Sequence, residues 1–174
     1  MSITISESGM LFGEYEEADL FRAEESSVYK LMPSGFRTVE FILRGKNDEI
    51  LMIEAKSSSP KPGNQDDFDG FIDTIYHKFS HSIDLFFALV LKRLIDRYDE
   101  MPAYFKATDY STAKIKLLLV INGHNIEWLP PVNEALRMKL KRQIKTWRLE
   151  LAVINHEQAK DYDLLKRIET VDAE

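Results

Sequence analysis

Apolar and polar positions divide this chain into short apolar runs and one long periodic stretch. Residues 37–43 (Arg-Thr-Val-Glu-Phe-Ile-Leu) are rich in β-branched and aromatic side chains and predict a strand. Gly45, Asn47 and Asp48 supply turn chemistry. Residues 49–55 (Glu-Ile-Leu-Met-Ile-Glu-Ala) predict a second strand, and their nearly continuous apolar character puts it at the centre of a sheet. Together the two read as a hairpin. Next, Phe68, Phe71, Ile72, Ile75, Phe79, Ile83, Phe86, Phe87, Val90, Leu94 and Ile95 recur at i, i+3, i+4 and i+7, one face of a helix. Asp66, Asp67 and Asp69 are available as N-caps. At ~1.5 Å per residue this helix would run roughly 40 Å, long enough to expect a bend or break.

Residues 114–122 predict an apolar strand stopped by Gly123. Pro130 and Pro131 open a helix to about Trp147, with Leu136, Leu140, Ile144 and Trp147 on one face. Residues 149–155 form another strand, and residues 158–168 a final helix of weaker pattern. Before Arg37, residues 20–24 suit a short strand, and Ser26 or Ser27 suits the cap of a helix through Met32. Strands alternate with helices in the second half, which implies parallel neighbours and a sheet covered on both faces. The fold class is therefore α/β, a mixed central sheet flanked by helices. The breaks at residues 57–67 and 99–113 separate no two plausible cores. The expected organisation is one domain over residues 1–174, with a core at about 20–122 and a helix–strand–helix extension at about 123–174.

Composition narrows the chemistry. The chain has 174 residues, 44% hydrophobic and 30% charged, a globular balance. It has no cysteine, which removes disulfides, thiolate metal sites and thiol nucleophiles. No apolar run approaches a membrane span, and the first residues lack the pattern of a signal peptide, so the expected location is cytoplasmic and no membrane is expected as partner. The net charge of −6 is uneven. Residues 134–148 hold six basic residues and one acidic one, whereas Glu7, Glu14, Glu16, Glu17, Asp19, Glu24 and Glu25 face only Arg22 near the start. Arg137, Lys141, Lys145 and Arg148 fall within about 80° of a helical wheel, a stripe that can track phosphates or simply face solvent.

The chemistry concentrates at Glu40 and at Glu54-Ala55-Lys56. Residues two apart on a strand point to the same face, so Glu54 and Lys56 project together if the strand persists through Lys56. Glu40, on the neighbouring strand, reaches Glu54 in a suitable register. Two carboxylates and an ammonium on an apolar sheet are costly unless paired or metal-bound. Hard oxygen ligands suit magnesium or manganese, which bind a phosphate oxygen and acidify a water. An acid, a hairpin turn, an apolar strand ending Glu-x-Lys and then a long helix resembles the PD-(D/E)XK nuclease superfamily, with its restriction-endonuclease-like αβββαβ core. The resemblance covers roughly residues 20–122. It implies Glu40 and Glu54 as metal ligands, Lys56 as the catalytic lysine, and a further acid near the first helix or strand, for which Glu24 is the candidate, with Glu16 or Glu17 behind it. The first acid is Glu where the family usually has Asp, and Val39 precedes it where the family has Pro.

The expected function is thus a metal-dependent nuclease-like protein acting on DNA, ahead of RNA. The competing expectation is a catalytically silent binding module of the same fold, for protein or nucleic acid. A homodimer or a partner protein fits either. Glu40 also has a bland reading, a solvent-facing side chain in an alternating strand, and Glu24 one as a solvated charge. His77 and His81 sit i, i+4 on the long helix without a third ligand in view. His124 and His156 each follow a strand, where loops of open α/β sheets carry function. Trp128 and Trp147 read as core or rim residues. No phosphate-binding glycine loop, dinucleotide fingerprint or nucleophile elbow occurs.

Overall fold

The computed structural model describes residues 1–166. The chain opens with a hairpin that the periodicity above did not single out, β1 (Ser2–Glu7) and β2 (Met10–Glu16). Its two-residue turn has Ser8 and Gly9 both at positive φ, the backbone a tight hairpin demands. The short β3 (Leu20–Phe21) is followed only by 3-10 turns. The expected helix through Met32 is one such turn, Tyr29–Leu31, just ahead of Pro33.

β4 (Phe41–Arg44) and β5 (Ile50–Lys56) form the expected antiparallel hairpin, with Phe41 opposite Ile53. β5 keeps its ladder through Lys56 because β6 (Ile115–Ile121) pairs with it in parallel, up to Lys56 opposite Ile121. β7 (Glu150–Asn155) adds a second parallel pair. The sheet order is β3-β4-β5-β6-β7, antiparallel at one end and parallel at the other. This is the mixed α/β sheet expected from the sequence, without a regular helix ahead of β4.

The start of β4 corrects the expected strand over residues 37–43. Arg37 N–H donates to His81 Nδ1 at 3.1 Å, and Val39 N–H donates to Ser82 Oγ at 2.8 Å. Those backbone donors are satisfied by helix side chains rather than by a neighbouring strand, so the ladder begins only at Phe41. Glu40 therefore precedes the strand instead of lying within it.

The long helix, α1 (Gln65–Val90), runs 26 residues without interruption. The expected break falls after it, where Lys92 takes φ 55. Asn64 occupies the N-cap position, and Asp66 and Asp67 lie in the first turn, where their charge favours the helix dipole. α2 (Ala103–Ala107) follows Pro102 in the segment expected to be loop. The helix expected from Pro130 to Trp147 is two, α3 (Leu129–Lys139) and α4 (Lys141–Trp147), joined at the fully buried Leu140. The last helix, α5 (His156–Asp161), ends before residue 162, so its expected run through 162–166 is corrected. Residues 167 and 168 of that expectation lie outside the described residues.

One cluster of apolar side chains lies between the sheet and α1, including Ile42, Met52, Ile72, Ile75, Phe79, Leu117 and Leu119. A second lies beneath the β1–β2 hairpin and α5, including Phe12, Phe41, Ile53, Ala55, Leu118 and Ile154. Phe12 and Phe41 meet edge to face at 5.3 Å. Strict alternation along β5 sends Ile50 and Met52 to the α1 side and Leu51 and Ile53 to the other. Glu54 and Lys56 must then face α1. Among the described residues no helix is long and apolar enough to cross a membrane.

Candidate functional site

Glu54 sits near the end of a strand paired on both sides, which fixes its backbone, and its side chain is completely buried. Extending the Phe41–Ile53 register by one residue sets Glu40 opposite Glu54, on the same face. Above them passes the stripe of α1 carrying Ile75, Lys78, Phe79 and Ser82. Lys78 is a charged residue where the helical pattern calls for an apolar one, and it is a member of the site absent from the residues expected above.

Four charged side chains meet here. Lys78 Nζ lies 3.0 Å from Glu40 Oε1 and 2.9 Å from Glu54 Oε1. It donates to Glu54 Oε2 at 3.1 Å. Lys56 Nζ lies 2.9 Å from Glu54 Oε1. Side-chain exposure falls from 28% at Lys56, through 16% at Glu40 and 15% at Lys78, to 0% at Glu54. Sharing one ammonium holds the Glu40 and Glu54 oxygens within about 6 Å of each other, and one divalent ion at ~2.0–2.6 Å per oxygen would need them within about 5 Å. Glu54 Oε1 is buried without a well-formed hydrogen bond, although two ammonium groups stand close to it.

Burial pushes the Glu54 carboxyl up to about 7, against the opposing pull of Lys78 and Lys56, with Glu40 adding to the rise. Burial depresses Lys78, but its two carboxylate partners more than offset this and raise it overall. The half-buried Glu7, at the end of β1, is raised first by burial and then by Glu40, while Arg22 and Lys78 lower it and Glu24 raises it further. The first hairpin thus brings a third acid towards the site. Its only sequence signal was its place in the acidic N-terminal segment.

The remaining expected residues fall elsewhere. Glu24 lies in an exposed 3-10 turn and contributes only its field at Glu7. Glu16 and Glu17 line a separate open hollow of about 790 Å³ near Arg22 and Lys106. The basic stripe is divided by the break at Leu140. Arg137 donates to the Leu151 carbonyl at 3.1 Å, so its guanidinium also ties α3 to β7. Lys141 and Lys145, with Arg137, Met138 and Ile144, line a shallow hollow of about 450 Å³. Arg148 is the left-handed C-cap of α4 rather than a member of its face.

Among the histidines, His81 stacks on Phe36 with centroids 4.6 Å apart and accepts from Arg37 N–H. His77 lies 5.5 Å from it, centroid to centroid. His124 is nearly buried, which lowers its pKa, and its Nε2 lies 3.0 Å from Ser59 Oγ. That pair fastens the loop after β5 to the loop after β6, and Lys61 over the Trp128 ring does the same. His156 Nδ1 accepts from Gly123 N–H at 3.2 Å.

The donor set of Glu40 and Glu54 is hard oxygen, and Glu54 Oε1 already attracts two ammonium groups at 2.9 Å, so these residues fit a magnesium or manganese ion that would take over that charge. Among the described residues no three His, Asp or Glu side chains converge as a ready-made ion site. Here the third member of the group is the Lys78 ammonium. Comparison with known protein families, with curated proteins and with solved structures finds no match.

Proposed function

We propose that this chain is a metal-dependent nuclease-like protein that hydrolyses phosphodiester bonds of nucleic acid, DNA in preference to RNA. The observation that supports it is the meeting of Glu40, Glu54 and Lys56 on the α1-facing side of the sheet, at the end of a central strand. Glu40 and Glu54 would hold the magnesium or manganese ion, which when bound supplies a Lewis acid to a phosphate oxygen and a more acidic water. Lys56 is the more exposed of the two lysines and stays tied to Glu54, so its ammonium is placed to orient the attacking water or hold a phosphate oxygen. Hydrolysis forms one bond from water oxygen to phosphorus and breaks one from phosphorus to the leaving oxygen, which takes up a proton. Burial holds the ion-free Glu54 carboxyl at about 7, so proton and ion compete for it and ion binding would strengthen as pH rises through neutral. Lys141 and Lys145 would track phosphates at a distance from the reacting bond.

The second reading is a silent binding module, favoured by one observation: Lys78 and Lys56 together already neutralise the carboxylate pair. Cleavage of plasmid, linear and single-stranded substrates with magnesium or manganese separates the two. The nuclease reading expects metal-dependent cutting by the wild type that is lost in Glu54→Gln and Lys56→Ala, with both variants folded. Cutting that survives in Glu54→Gln would come from a contaminant. No cutting by folded wild type would move the assignment to the silent module.

A further inference from the structure

We propose that Lys78 is a resident counter-ion of the metal site, a tethered ammonium that a divalent ion must displace, so that it sets the site's metal affinity. This rests on the reading of Glu40 and Glu54 as ligands. The geometry is direct. Lys78 Nζ stands 2.9–3.1 Å from three carboxylate contacts, on Glu40 Oε1 and both oxygens of Glu54. A divalent ion needs those oxygens at ~2.0–2.6 Å, which places its charge where the ammonium now is. An ammonium and a divalent ion cannot occupy the same position between Glu40 and Glu54, where Coulomb repulsion is weakly screened.

The placement is built into the fold. Lys78 shares its helix stripe with the fully buried Ile75 and Phe79 and the buried Ser82, so its stem is packed towards the sheet. Ser82 in turn holds Val39, one residue before Glu40. Lys56, by contrast, pairs with Glu54 and, among the described residues, forms no ion pair with Glu40. Glu7 lies within the field of both Lys78 and Glu40.

Titration calorimetry with manganese chloride at pH 8 tests this on the full chain. Lys78→Met, which keeps the stem and removes the charge, is expected to bind manganese about 10-fold more tightly than the wild type or better, and Lys78→Met/Glu54→Gln to lose that binding. Equal or weaker binding by folded Lys78→Met overturns the inference while leaving the metal reading intact. Absence of manganese binding in all three folded proteins overturns both. A second measurement needs no stable variant: the Lys78 Cε resonance of selectively labelled wild type should shift as magnesium is added. An unmoved resonance at saturating magnesium also refutes displacement.

Discussion

Replacing Glu54 with Gln should make the protein more stable in alkaline solution, although it removes the best-buried charge of the site. The Glu54 carboxyl is held at about 7 in the fold, against an ordinary value of 4.5. That gap corresponds to about 3 kcal/mol of differential stability. The folded pKa is the higher one, so between pH 4.5 and 7 the native state binds more protons than the unfolded chain. Stability therefore falls as pH rises through this window and levels off above it, with about 2–3 kcal/mol of the loss between pH 5 and 8. Gln fills the same space and does not titrate. Urea unfolding followed by circular dichroism at pH 5, 6, 7 and 8, in the presence of chelator, gives the difference between variant and wild type. That difference should grow in favour of Glu54→Gln by about 2–3 kcal/mol across the series, with unchanged denaturant slope. A flat difference, or one that moves towards the wild type as pH rises, would mean that the ion pairs with Lys56 and Lys78 outweigh burial, and the reasoning would fail.

Two further outcomes probe the surroundings. Ser82→Ala leaves the Val39 N–H without its acceptor and should cost about 1–3 kcal/mol in thermal or urea unfolding, and because Val39 adjoins Glu40 it should also weaken manganese binding without touching a ligand. Lys141→Ala and Lys145→Ala should leave stability within about 0.5 kcal/mol and each lower the salt dependence of DNA binding by about one charge, whereas Arg137→Ala should lower the melting temperature through loss of its bond to the Leu151 carbonyl; a salt slope unchanged in both lysine variants would remove this face from the nucleic-acid surface.

Much of the frame was legible because burial imposes period. The apolar run before Glu54 forecast a central strand, and β5 is paired on both sides. The helical stripe from Phe68 onwards forecast α1, and the apolar run before Gly123 forecast β6. The β1–β2 hairpin carried a readable signal, Ser8-Gly9 between Ile3, Ile5 and Phe12, that its acidic surroundings obscured. The break at Leu140 had none, since Leu136, Leu140 and Ile144 suit one helix as well as two.

The sequence by itself determined which residues could share a face: the two-residue period of a strand commits Glu54 and Lys56 to one side, and the turn at Gly45 to Asp48 sends the chain back beside them. Only the tertiary structure decided what stands opposite. Lys78 is 24 positions from Glu54 and enters the site because α1 crosses the sheet at that height. Glu7 arrives from a hairpin that precedes the core, and Glu40 is held just outside its strand by Ser82. Local periodicity follows from backbone geometry, which each residue carries with it. The pairing of distant charges depends on how whole elements pack, which no single stretch of the chain encodes.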